Sequence, residues 1–468
     1  MKKLILALCL MPLALEAGAQ TPVKGGGIST DLLARLRSAQ STAPETRALR
    51  SALADNDINQ LAISRQNGTA RDTYFSHEVP SKGITNQLSS GRCWLFTGLN
   101  VMRAKMMQRH ELAEFTFSQN YVFFYDQLEK SNLFLQAIID CASKPMDDKR
   151  VEWLFKNPLS DGGQFTGIVD LVSKYGLVPS DIMPETYASN NTSHMATLLK
   201  LKLREDALRL RQAADKGSKK QALADMKEKQ LAEIYHMLTL FLGEPPQRFS
   251  YRLTGKDGKP QGTAEEYTPQ SFYERYVGSD LKNGYVMLMN DPLRPYYKTY
   301  EIDMDRHVYD GENWVYLNLP IEEIKKAAIS SIKDSTMMYF SCDVGKFLNS
   351  KTGMLDAEGY DFSSFMGTTF GMTKKERIET FASASSHAMT LMAVDLDSEG
   401  KPKKWMVENS WGATNGYKGH LIMTDKWFDD YMFRLVVEKK YVSSDILALL
   451  EQKPTLLPPW DPMFSPEE

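Results

Sequence analysis

Helix and strand signals are unevenly shared along this chain of 468 residues, and that segregation restricts its possible folds more than any other feature. Apart from a short strand pattern at 74–79, apolar residues up to position 242 recur at helical spacing, in 31–37, 45–53, 93–110, 117–128, 133–139 and 167–175. A Leu/Ala/Lys/Arg/Glu/Gln-rich run over 196–242, broken at 215–218 and ended by Gly243-Glu244-Pro245-Pro246, predicts a helical hairpin. Beyond it strands predominate, at 285–290, 315–319, 336–342, 384–394, 404–412 and 419–423, with helices at 267–276 and 321–333. Helices gathered early and strands gathered late predict an α+β fold, a helical lobe packed on a barrel-like antiparallel sheet lobe.

Chemistry concentrates in one stretch, Ile84 to Phe96, which carries Gln87, the turn-forming run Ser89-Ser90-Gly91, and Cys93 at the mouth of an apolar helix. A helix N-terminus favours an anion, so a thiolate is stabilised there, more so beside a histidinium. Gln87 supplies an amide able to donate to an oxyanion formed on a carbonyl that Cys93 attacks. A cysteine followed by Trp94, Leu95 and Phe96 is, taken alone, more often a core residue. A nucleophile requires a histidine and an orienting group elsewhere in the chain.

Composition removes several other chemistries. The net charge of −3 speaks against nucleic acid as a partner. No cysteine pair stands at metal-ligand spacing, and neither His-Glu-x-x-His nor a Walker-type glycine loop occurs, so no metal or organic cofactor is expected. Met1-Lys2-Lys3, an apolar run over 4–15 and the Ala17-Gly18-Ala19 site read as a secretory signal peptide cleaved after Ala19, giving an exported protein, periplasmic or secreted. That run is too short to span a bilayer, and no later stretch suits a span. Cleavage would leave Cys93, Cys141 and Cys342, an odd number, so not all of them pair within the chain.

The seven histidines make any single one weak evidence. Order and context discriminate: His387 opens one strand pattern and Asn409 ends the next, followed by Ser410 and Trp411. An Asn oxygen accepting from one imidazole nitrogen fixes the tautomer and leaves the other nitrogen for the cysteine, and Trp411 is placed to shield that bond from water.

These segments, together with Asp161-Gly162-Gly163-Gln164, Cys342 to Lys346, His387 to Thr390, Val407 to Gly412 and Trp460 to Met463, resemble the papain superfamily. Within it the chain is similar to the bleomycin hydrolase and aminopeptidase C family over nearly all of its mature length. The resemblance implies a papain-like two-lobed cysteine peptidase with a helical insertion. It assigns Cys93 as nucleophile, His387 as general base and acid, Asn409 as orienter and Gln87 as oxyanion donor. By the same pattern Gly162 and Gly163 offer backbone contacts to substrate, and Trp411 lies at the site.

The papain group carries Cys-Gly-[Ser/Ala]-Cys-[Trp/Tyr], whereas this chain reads Ser90-Gly91-Arg92-Cys93-Trp94, without the earlier cysteine. Members of the resembled family are usually intracellular, and the signal peptide departs from that habit. The family is similar throughout in forming a homo-hexamer with internal active sites that admit peptides. Its C-terminal arm enters the cleft, where the terminal carboxylate, here Glu468, anchors the substrate's α-ammonium. This chain ends Phe464-Ser465-Pro466-Glu467-Glu468 in place of the family's small Gly-Ala-Leu-Ala ending. The implied organisation is a signal at 1–19, a linker and helical arm at 20–73, a helical lobe at 74–195, a helical insertion at 196–265, a sheet lobe at 266–452 and a cleft-entering arm at 453–468. The expected activity is a cysteine aminopeptidase. The alternatives are an endopeptidase on the same fold and a non-catalytic assembly that binds nucleic acid or peptide.

Overall fold

A computed structural model describes residues 25–66, 68, 70–80, 83–278 and 281–464. The signal segment and Glu468 lie outside the described residues. The chain divides into two compact units, one ending at Ala62 and the other starting at Ile63. In the first, the helices Thr30–Ser38, Pro44–Asp55 and Ile58–Leu61 follow the amphipathic patterns of the sequence. Ser29 caps the first of them, its hydroxyl accepting the Leu32 N–H at 3.1 Å.

In the second unit the helix Cys93–His110 is buried along most of its length: apolar residues point to every side of it, and the buried Thr97, Asn100 and Arg103 lie among them. Around it stand Gln119–Asp140, Lys149–Lys156, Phe165–Tyr175 and a hairpin of Thr192–Asp215 and Lys220–Leu242. Leu199, Leu203, Ile234 and Leu238 of the hairpin join Phe123, Leu135 and Ile168 in one apolar core. The two helices expected at 117–128 and 133–139 are a single helix. Its polar middle is satisfied in place: Ser131 Oγ donates to the Gln127 carbonyl at 2.7 Å and Lys130 pairs with Asp126 at 2.9 Å.

The later half builds a sheet of twelve strands. From one edge the order is Thr455–Leu457, Lys298–Ile302, Val315–Asn318, Tyr285–Met289, Met432–Glu438, Met338–Cys342, His387–Leu396, Pro402–Glu408, His420–Thr424, Met354–Leu355 and Leu348–Asn349; His77–Glu78 also pairs with His387–Leu396. Pairing is antiparallel except for Tyr285–Met289 with Val315–Asn318, Thr455–Leu457 with Lys298–Ile302, and His420–Thr424 with Met354–Leu355. The helix Ile321–Lys333 contributes Ile324, Ala328 and Ile332 to a second core with Leu288, Phe340, Leu391, Trp405 and Val407. Covered faces explain why the central strands read as continuous apolar runs rather than alternating ones. The strand pattern at 74–79 contracts to His77–Glu78, and the central strand Met432–Glu438 carried no boundary signal because it follows the helix Asp425–Tyr431 without a break.

Candidate active site

The helix Cys93–His110 begins without a side-chain cap, and the Leu95 and Phe96 N–H groups both return to the Arg92 carbonyl at 3.0 Å. Cys93 therefore occupies the first helical position, buried, at the positive end of the helix dipole. The preceding turn is closed by reciprocal bonds: Gln87 Nε2 donates to the Ser90 carbonyl, and Ser90 Oγ to the Gln87 carbonyl, both at 2.6 Å. The Gly91 N–H donates to Asp161 Oδ2 at 2.8 Å, and a Cβ at residue 91 would lie 2.6 Å from Asp161 Oδ1. Only glycine lets the turn sit this close to the Asp161 carboxylate.

His387 opens its strand, and Asn409 follows the neighbouring strand Pro402–Glu408. His387 Nε2 lies 2.8 Å from Asn409 Oδ1, and the Ser410 N–H donates to the same oxygen at 2.8 Å. That second donor fixes Oδ1 as the carbonyl end of the amide, so His387 Nε2 carries the proton and donates, while Nδ1 is left as an acceptor. The Trp411 ring covers the imidazole, centroid to centroid 4.8 Å and tilted by 31°. Burial pushes the His387 imidazole down to about 4, opposed in part by the bond to Asn409.

Backbone pairing brings the two halves of the site together. The Gln87 N–H donates to the Ser410 carbonyl at 2.8 Å and the Gly412 N–H to the Thr85 carbonyl at 3.1 Å, while Ser410 Oγ donates to Gln87 Oε1 at 2.6 Å. The Cys93 helix packs on the His387 strand. Gln87 Nε2 has two hydrogens, of which one is committed to Ser90, so the second remains for a ligand oxygen. Gln87, His387, Asn409 and Trp411 are thus one connected group beside the helix that begins at Cys93.

Gly162 and Gly163 form a wall of a neighbouring cavity of about 380 Å³, which Ser385, Pro459 and Phe464 also line. The wall's carbonyls are turned inward. Lys130 Nζ donates to Ser160 O at 3.0 Å and Gly162 O at 2.6 Å, and Trp94 Nε1 to Asp161 O at 2.7 Å. Behind it His307 Nδ1 lies 2.6 Å from Asp126 Oδ1, and a Cβ on Gly163 would lie 2.2 Å from His307 Cε1. Gly163 is therefore required by close packing against His307 and Trp94. Burial lowers the His307 pKa, with Lys130 adding to the effect and Asp126 opposing it.

Sequence reasoning passed over Asp161 as the support of Gly91, Ser410 as the partner of Gln87, and His307. The first two lay inside recognised segments, but their contacts join residues 70 and 323 positions apart; His307 belonged to no motif. Cys93, Cys141 and Cys342 are all buried thiols outside any disulfide. Among the described residues no group of three or more His, Cys, Asp or Glu could hold a metal ion, and no helix is long and apolar enough to cross a membrane.

The model of the Peptidase C1-like family matches residues 27–464. Aminopeptidase C of Listeria monocytogenes is 38% identical over 424 residues, covering 90% of this chain and 95% of that protein. Bleomycin hydrolase of Homo sapiens is 38% identical over 453 residues, covering 94% and 99%. The crystal structure of pepw from Lactobacillus rhamnosis aligns with a TM-score of 0.90 at 37% identity, over 94% of this chain and 99% of that one. Fold and relatives together define the class, a cysteine peptidase of papain-like α+β fold. The chain belongs to the Peptidase C1-like family.

Proposed function

We propose that this protein is an exported thiol aminopeptidase in which Cys93, His387, Asn409 and Gln87 carry the reaction. The Cys93 thiol gives its proton to His387 Nδ1, and the thiolate attacks the amide carbonyl of a peptide. Gln87 Nε2 and the Cys93 backbone N–H donate to the resulting oxyanion. As the C–N bond breaks, the imidazolium protonates the leaving amine. His387 then takes a proton from water, whose oxygen attacks the thioester and releases the acid and the thiol. An imidazole pushed down to about 4 by burial keeps its proton poorly next to a neutral thiol. Proton transfer therefore requires the thiolate as its partner, and the two groups titrate as a pair.

The observation that carries this reading is the 2.8 Å bond from His387 Nε2 to Asn409 Oδ1, with the oxygen fixed by Ser410, because it leaves Nδ1 as the free base. The name of the aminopeptidase C relatives supports removal of N-terminal residues. The signal-like 1–19 segment supports export, and leucines left exposed on the hairpin support a contact with further chains, six in number by the family resemblance alone. The arm's last described residue, Phe464, stands in the cavity wall, a position that supports a role for the terminal residues through Glu468 in admitting only free N-termini. Cys93→Ala should abolish hydrolysis of aminoacyl-coumarin substrates. Free peptides should be cleaved and their N-acylated forms left intact; equal cleavage of both would make the enzyme an endopeptidase.

A further inference from the structure

The cavity beside Gly162 and Gly163 holds a buried cation that the reaction above does not use. Arg434, only 7% exposed, stacks its guanidinium on the Trp314 ring at 4.3 Å and donates from Nη1 to Gln164 Oε1 at 3.1 Å. Its Nε has no hydrogen-bond partner, and it forms no ion pair with a carboxylate among the described residues. Gln164 stands between it and the nearest acid: its Nε2 donates to Asp305 while its Oε1 accepts from Arg434. A second buried group of the lining, Ser385 Oγ, also has no partner, and Ser385 is only 6% exposed.

Both orphaned groups line the same space, and the charges around it are lopsided. Lys130, Lys156, Lys200, Arg306 and Arg434 face it; Lys130 is paired with Asp126 and Lys156 with Glu152, which leaves Lys200, Arg306 and Arg434 against the single lining carboxylate of Asp305. Asp305 reaches Arg434 only at a distance, through Gln164; a guanidinium withdrawn from water without a carboxylate in direct contact is unfavourable, and ring stacking offsets only part of that cost. A planar carboxylate is the group whose geometry completes a guanidinium edge, and a serine hydroxyl suits its second oxygen.

We propose that this cavity is a carboxylate-binding subsite, in which Arg434 and Ser385 select peptides presenting an acidic side chain to the Gly162–Gly163 wall. The inference rests on the peptidase reading and adds a substrate class to it. The same carboxylate chemistry is also available from the chain's own end, at Glu467 and Glu468.

The test compares glutamyl- and glutaminyl-coumarin, which match in shape and differ in charge, with the leucyl compound as reference. The glutamyl substrate should exceed the glutaminyl one in kcat/KM by about tenfold or more, the range of one charge-assisted hydrogen bond. Ser385→Ala and Arg434→Gln should each collapse that ratio towards one and leave leucyl hydrolysis within about threefold, while Arg434→Lys restores part of it. Should Arg434→Gln fail to fold, Ser385→Ala carries the test alone. A preference appearing only in a chain ended at Phe464 assigns the subsite to the protein's own terminal carboxylates. A glutamyl to glutaminyl ratio near one in both full and shortened chains, or a ratio that ignores Ser385→Ala, overturns the inference. Failure of the peptidase reading looks different: no coumarin substrate is hydrolysed, or Cys93→Ala hydrolyses all of them.

Discussion

His387 shows how one residue ties stability to chemistry. Its imidazole is driven down to about 4 by burial, against an ordinary value of 6.5. Between those values the unfolded chain takes up a proton that the folded chain refuses, so acidification favours unfolding. The effect is absent above about pH 6.5, grows as pH falls, and is complete below about pH 4, where it amounts to about 3 kcal/mol. Measured by denaturant unfolding in Cys93→Ala, where no thiolate can hold the proton, stability should fall across this window. The further change His387→Gln should flatten that part of the profile; an identical slope in both proteins would contradict the assignment. The residues this prediction uses were legible in the sequence because His387 and Asn409 each sit at the end of a strand pattern. Their supports were not, because Ser410 is a support only when Gln87 is beside it, and Gln87 is 323 residues away. Arg434 reads in sequence as one more charge on a strand and becomes notable only as a buried one.

Among the elements, the join that matters most is between the Cys93 helix and the strand leading to Asn409. Arg103, on the inner face of the helix, donates from Nη2 to Glu408 Oε1 at 3.0 Å and to the Gly83 carbonyl at 2.9 Å. Both side chains are buried, and Glu408 is the last residue of its strand, immediately before Asn409. Removing Glu408 leaves the Arg103 guanidinium buried without its carboxylate, a loss of about 3–5 kcal/mol. Glu408→Ala should therefore lower the melting temperature and depress kcat by loosening Asn409, whereas an apolar replacement of both, Arg103→Met with Glu408→Leu, should recover most of the stability. If the double variant is no more stable than the single one, the pair is not what holds helix to strand. Sequence pattern predicted both elements closely, since each is a run rich in apolar residues with a turn signal at one end. It did not reveal their partnership, and it missed Lys298–Ile302 and Met432–Glu438, whose identity as strands depends on neighbours from distant segments.

For the molecule as a whole, the segregation of helix and strand along the chain anticipated the architecture, and the helical hairpin at 196–242 was readable from composition alone. What composition does not settle is why the hairpin's outer surface keeps large apolar residues. Leu198, Leu201 and Leu208 are 49%, 64% and 47% exposed. They stand three and seven residues apart on the helix Thr192–Asp215 and so share a side, while Leu199, Leu203 and Leu210 fill the core opposite. Single exposed leucines are ordinary, but a repeated exposed row on a helix that already buries its inner face is a candidate contact surface for another chain. We propose that this row is a contact between subunits of the hexamer proposed above. Leu201→Glu with Leu208→Glu should then reduce the mass in light scattering from six chains to fewer. Because both side chains are solvent-exposed in the single chain, the stability of the dissociated subunit should stay within about 0.5 kcal/mol of a matched Leu→Ala control. An unchanged assembly mass in the charged variant would place the subunit contacts elsewhere on the fold.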